Sequence, residues 1–136
     1  MDIHKQSTGD TERKEDLEAV IQKLNHDILN LVSTYNNLVA EYNDYSEMTA
    51  TCNWDRTSGP MMEDYPKMEF YDASTINETL KSKDIARMKA LKRTLWLKVH
   101  HLKDAVTNAR VAYGEAIRQV IEEIEDEVYG PRYNYY

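Results

Sequence analysis

The sequence predicts an all-α protein: two long helices in a helical hairpin or coiled-coil arrangement, an aromatic and methionine-rich connector, and an extended C-terminal tail. Two observations carry that prediction. Glycine and proline, the strongest local breakers, are scarce. Apart from Gly114 they gather at Gly9, at Gly59, Pro60 and Pro66, and at Gly130 and Pro131, leaving two long uninterrupted stretches. Both stretches also place their apolar residues at helical spacing. The elements in order are an N-terminal arm over 1–10, helix 1 over about 11–46, a connector over 47–74, helix 2 over about 75–129 and a tail over 130–136. Together they suit one helical domain of 136 residues.

Helix 1 is marked by Leu17, Ile21, Leu24, Ile28, Leu31, Tyr35 and Leu38, continued by Tyr42 and Tyr45. Their steps alternate four and three, which is a coiled-coil seam, and Ile at one core position with Leu at the other favours a parallel two-stranded pair. The pattern alone leaves open whether the partner helix lies in this chain or in another. Val20, Val32 and Val39 widen the stripe toward bundle packing. The tyrosine hydroxyls need polar neighbours, so the seam is expected to be wetter toward its C-terminal end.

Helix 2 is expected to open at Thr75, whose spacing to Glu78 fits a capping box, and to end at Gly130 and Pro131. Its stripe keeps an eleven-residue repeat: Leu91, Leu102, Tyr113 and Ile124 on one line, Leu95, Val106, Ile117 and Val128 on the next. That period lets a nearly straight helix hold one face to a partner. Gly114 is the one weak point of this helix, and the sequence leaves open whether the helix breaks there. Helix 1 is too short to cover all of helix 2, so the last third of the stripe calls for another partner.

The connector holds Trp54, Met61, Met62, Tyr65, Met68, Phe70 and Tyr71. A solvated linker would be poor in such groups. Either it docks on a partner or it folds back to cap the helices. In the tail, Tyr129, Tyr133, Tyr135 and Tyr136 alternate with polar residues, a composition suited to a docking strap.

Net charge is −7, but it is segmented. Residues 1–80 carry 6 basic and 16 acidic side chains, residues 81–110 carry 9 and 2, and residues 111–136 carry 2 and 6. A chain acidic in bulk is a poor non-specific nucleic-acid binder, although one basic segment can act locally. In that segment Lys81, Lys89, Lys92, Arg93, Trp96, His100 and Lys103 fall away from the stripe, giving a cationic strip around an outward tryptophan. Trp and Arg are enriched at binding hot spots. The bland alternative is that this face packs on the connector, with the lysine stems covering Trp96.

The histidines are the other feature that resembles chemistry. The stretch VHHLKDA, residues 99–105, resembles the phosphorylatable segment of histidine-phosphotransfer domains, with His100, Leu102, Lys103 and Ala105 at matching positions. That resemblance implies a solvent-facing phospho-accepting His100 on a bundle helix. It departs from the family at Asp104, where the family has glycine, and a carboxylate there repels an incoming phosphoryl group.

No metal or cofactor site, phosphate-binding loop or nucleophile motif is legible, and the chain is expected to be non-enzymatic. A lone Cys52 excludes an internal disulfide framework. No stretch has the length and apolarity of a membrane span, and a cytoplasmic setting is expected, or a virus particle if the chain is viral. The leading expectation is a structural or assembly protein that forms homo-oligomers through its helical seams or docks on a larger body. In style it resembles minor virion or scaffold-type proteins of phages and viruses. Ranked second is a module binding nucleic acid or an acidic protein through the Trp96 face, and third a phosphotransfer-like role for His100.

Overall fold

The structure is a computed structural model that describes residues 3–57 and 67–130, with side chains over 13–53 and 67–130. Trp54, Met61, Met62 and Tyr65 of the connector lie outside the described side chains, and the tail residues Tyr133, Tyr135 and Tyr136 outside the described residues. Three helices are described: α1 (Ile3–Thr57), α2 (Ala73–Ser82) and α3 (Ile85–Tyr129). As expected, the two long helices pack against each other.

Each boundary that departs from the sequence reading has a local cause. α1 is longer at both ends than 11–46. It takes in Gly9, since a single glycine costs a helix only about 1 kcal/mol. At the far end, residues 46–57 contain no breaker, so their polarity and aromatic content do not stop the helix.

The second long helix does not begin at Thr75 and does not break at Gly114. It is divided instead at Lys83 and Asp84. Lys83 closes α2 in the left-handed conformation, with φ of 53°, and its N–H donates to the Leu80 carbonyl at 3.4 Å. That conformation costs a side-chain-bearing residue about 1–2 kcal/mol. Asp84 then restarts the chain, its carboxylate accepting from the N–H groups of Ala86 and Arg87 at 3.1 and 3.3 Å.

α2 is capped by Asp72 in place of the expected Thr75 and Glu78 box. The Asp72 carboxylate accepts from the Ser74 N–H at 3.0 Å and from the Ser74 hydroxyl at 2.8 Å. The Ser74 N–H chiefly, with that hydroxyl, holds the Asp72 carboxyl below its ordinary value. A lowered carboxyl stabilises the fold above the unfolded-state pKa, and that contribution is lost as pH falls through the folded-state value.

α3 passes through Gly114 without interruption. A Cβ at this position would meet nothing within 4 Å. Gly114→Ala is therefore expected to stabilise the protein by about 0.5–1 kcal/mol through helix entropy alone, read as a higher midpoint in a thermal melt at fixed concentration. A lower midpoint would show that something not seen here needs the open space.

The chain clusters into two compact units. One comprises Met1–Asn36 with Tyr71–His100, the other Asn37–Phe70 with His101–Tyr136. The core of the first is Leu24 and Ile28 of α1, Ile76 of α2, and Met88 and Leu95 of α3, with Ile21, Leu31, Val32, Tyr71, Leu80, Ile85 and Leu91 packed around them. The seam of α1 from Ile21 to Leu31 is thus closed within its own chain. Leu17, earlier on the same seam, is exposed.

Contacts inside this unit fix the helix directions. Lys92 of α3 reaches Asp27 of α1. Six residues further along α3, Lys98 stands 4.9 Å over the Tyr71 ring, which lies beside Tyr35 and Asn36 of α1. α3 therefore advances in the same sense as α1. The segment from Tyr71 through α2 runs the opposite way between them, and the tight reversal at Lys83 joins α2 to α3.

In the second unit Val39, Leu102, Val106 and Ala116 are buried, and the rings of Tyr45 and Tyr113 lie 5.9 Å apart. Asn43 holds the returning chain here. Its amide donates to the Met68 carbonyl at 2.9 Å and its oxygen accepts from the Met68 N–H at 2.8 Å.

Candidate interaction surfaces

In the first unit the cationic strip of α3 is brought beside α1. Leu24, Lys89, Lys92, Arg93, Trp96 and Leu97 line an open groove of about 590 Å³. Its apolar floor comes from both helices. Trp96 keeps 52% of its surface exposed, so the indole is a wall of the groove and not a core residue. Its ring packs on the His100 imidazole with centroids 3.9 Å apart, which holds the indole along the helix. The covering connector that Trp96 allowed for on sequence grounds is not seen among the described residues. The described return segment lies instead against Asn36 and Asn43.

The charges on the strip differ in their commitments. Lys92 is engaged with Asp27 at 2.9 Å, and this hydrogen bond is the main reason the Asp27 carboxyl sits below its ordinary value. The pair is partly solvated, so it contributes little to stability. It does remove one cation from the strip. Lys89 and Arg93 line the groove, exposed, with no ion pair among the described residues. His100 and Lys103 continue the exposed face along α3.

The Tyr71 cluster was missed by sequence reasoning. Tyr71 packs edge-on against Tyr35 at 5.5 Å and lies under the Lys98 ammonium, and its N–H donates to Asn36 Oδ1 at 2.9 Å. Asn36 and Asn43 stand seven residues apart, two turns on one face of α1. That spacing was the available signal, and it was overlooked because asparagine on a helix usually reads as solvated surface.

At the other end of α3 the second unit leaves apolar surface bare. Ile121, Ile124 and Val128 are 50%, 53% and 65% exposed, and Tyr129 is also exposed. Ile124 and Val128 belong to the same stripe whose earlier residues, Leu95, Leu102 and Val106, are buried. Of the remaining seam residues, Tyr35 and Leu38 are half-buried.

Among the described residues no group of three or more His, Cys, Asp or Glu side chains gathers as metal ligands would, and no helix is long and apolar enough to cross a membrane. Compared with known protein families, with curated proteins and with solved structures, the chain matches none.

Proposed function

We propose that this chain is a non-enzymatic assembly component that self-associates or docks on a larger body through helical surface it does not cover itself. The observation that carries the reading is the bare end of the α3 stripe at Ile121, Ile124 and Val128. Three branched aliphatic side chains, each at least half exposed within eight residues, favour association because burying each contributes roughly 1.5–3 kcal/mol. Leu17 and Val20 on α1 add further uncovered seam. The test is light scattering across a concentration series of the full chain. A mass above that of one chain, rising with concentration and little affected by salt, is expected. A single-chain mass at several hundred micromolar would end self-association and leave docking on a different body as the whole of the reading.

A second reading has its own observation. The half-exposed Trp96 between uncommitted Lys89 and Arg93 also suits a phosphate backbone or an acidic protein. Under that reading a labelled oligonucleotide binds at low salt and is released steeply toward physiological salt. Binding that is absent at low salt removes nucleic acid as the ligand.

A further inference from the structure

We infer that the groove beside Trp96 is the seat for the C-terminal end of α3 from a second copy of this chain. The inference rests on the assembly reading and adds the identity of the two surfaces that meet.

Chemistry and charge both point to this occupant. The groove has an apolar floor, Leu24, Trp96 and Leu97, and a rim in which Lys89 and Arg93 are unspent. The bare end of α3 is its complement. It carries an apolar ridge, Ile121, Ile124 and Val128, and helical periodicity puts Glu122 on one side of that ridge and Glu127 on the other, both exposed. From Glu115 to Tyr129 the helix holds six acidic side chains and one basic, Arg118. An apolar ridge with acidic flanks laid into an apolar groove with basic flanks buries the oily surface of both, and the opposite charges select the register.

Competing occupants fit less well. The N-terminal part of α1 is also acidic, but among the described side chains its exposed apolar residues, Leu17 and Val20, are fewer and more covered than those of α3. A nucleic acid would leave the aliphatic floor unused and would meet a chain of net charge −7.

The experiment uses sedimentation velocity on the full chain, freed of nucleic acid as judged by its absorbance ratio. Two charge-reversed variants are compared with the wild type: Lys89→Glu with Arg93→Glu in the groove, and Glu122→Lys with Glu127→Lys on the ridge. All four positions are exposed, so folding should persist, and circular dichroism checks it. Each variant alone is expected to weaken self-association by about tenfold or more, the effect of losing close charge pairs. Equimolar mixing should restore it, since an acidic groove then meets a basic ridge. Wild-type protein that assembles while either variant assembles equally well, or while the mixture fails to recover, overturns the pairing and leaves the assembly reading standing. A wild-type chain that stays single at all concentrations overturns both the pairing and the self-association it rests on.

Discussion

Replacing Leu95 by alanine is expected to destabilise the protein by about 2–5 kcal/mol, whereas alanine at Leu97 should stay within about 0.5 kcal/mol of wild type. The two leucines are two residues apart on one helix and have the same chemistry, so propensity cannot separate them. What separates them is environment. Leu95 is fully buried against Leu24, Ile28, Ile76 and Met88, and its truncation leaves a cavity among close-packed neighbours. Leu97 is 47% exposed on the groove and loses little that water does not replace. Urea denaturation at one fixed, low protein concentration measures both, the concentration being held because association shifts apparent stability. Equal losses would mean that α3 is rotated about its axis relative to the packing described above.

The second large effect is expected at Asn43. One side chain here satisfies both the N–H and the carbonyl of Met68, replacing the partner that a neighbouring strand or helix would have supplied. Asn43→Ala leaves both backbone groups part-buried without that partner, a loss of about 1–3 kcal/mol. The consequence should be local before it is global, because Asn43 holds Met68 through both backbone groups, whereas Tyr71 is also held by Asn36 and by its packing on Tyr35. Amide hydrogen exchange at Met68 and Tyr71 should accelerate in Asn43→Ala while amides around Leu95 keep their protection. Asn36→Ala, which removes only the acceptor for the Tyr71 N–H, should show a smaller change centred on Tyr71. Unchanged exchange at Met68 would mean that something other than asparagine positions the return segment.

Parts of this architecture are written locally and were readable. The four-and-three spacing from Leu17 to Tyr45 and the eleven-residue repeat from Leu91 to Val128 mark helices, and their middle parts, Ile21 to Leu31 and Leu95 to Val106, mark faces they bury, because a helix turns at a fixed angle per residue. The outward position of Trp96 was legible in the same way, but the exposed end of the α3 stripe does not arise from a short first helix as expected, since α1, at 55 residues, is longer than α3, at 45. Less legible were the joints. Asp72 and Asp84 set the starts of α2 and α3 by accepting a few backbone N–H groups, and Thr75 with Glu78 offered an equally good pattern that the folded chain does not use as its cap. Lys83 in the left-handed region has no sequence signature at all, since glycine or asparagine is the usual occupant there.

By itself, then, the amino-acid sequence determined the helical class, the buried faces of the two long helices and the segregation of charge along α3, since each depends on residues within a few turns of one another. Tertiary structure alone decided that α1 and α3 run in the same sense and that the seam of α1 from Ile21 to Leu31 is closed by its own chain. It likewise decided which cations of the strip are already committed. The physical reason is range. Helix periodicity is a property of neighbours, whereas direction here depends on Asn43 and Asn36 binding backbone 25 and 35 residues away, and on Lys92 meeting an aspartate 65 residues away. Such contacts form only once folding has closed the loops between them.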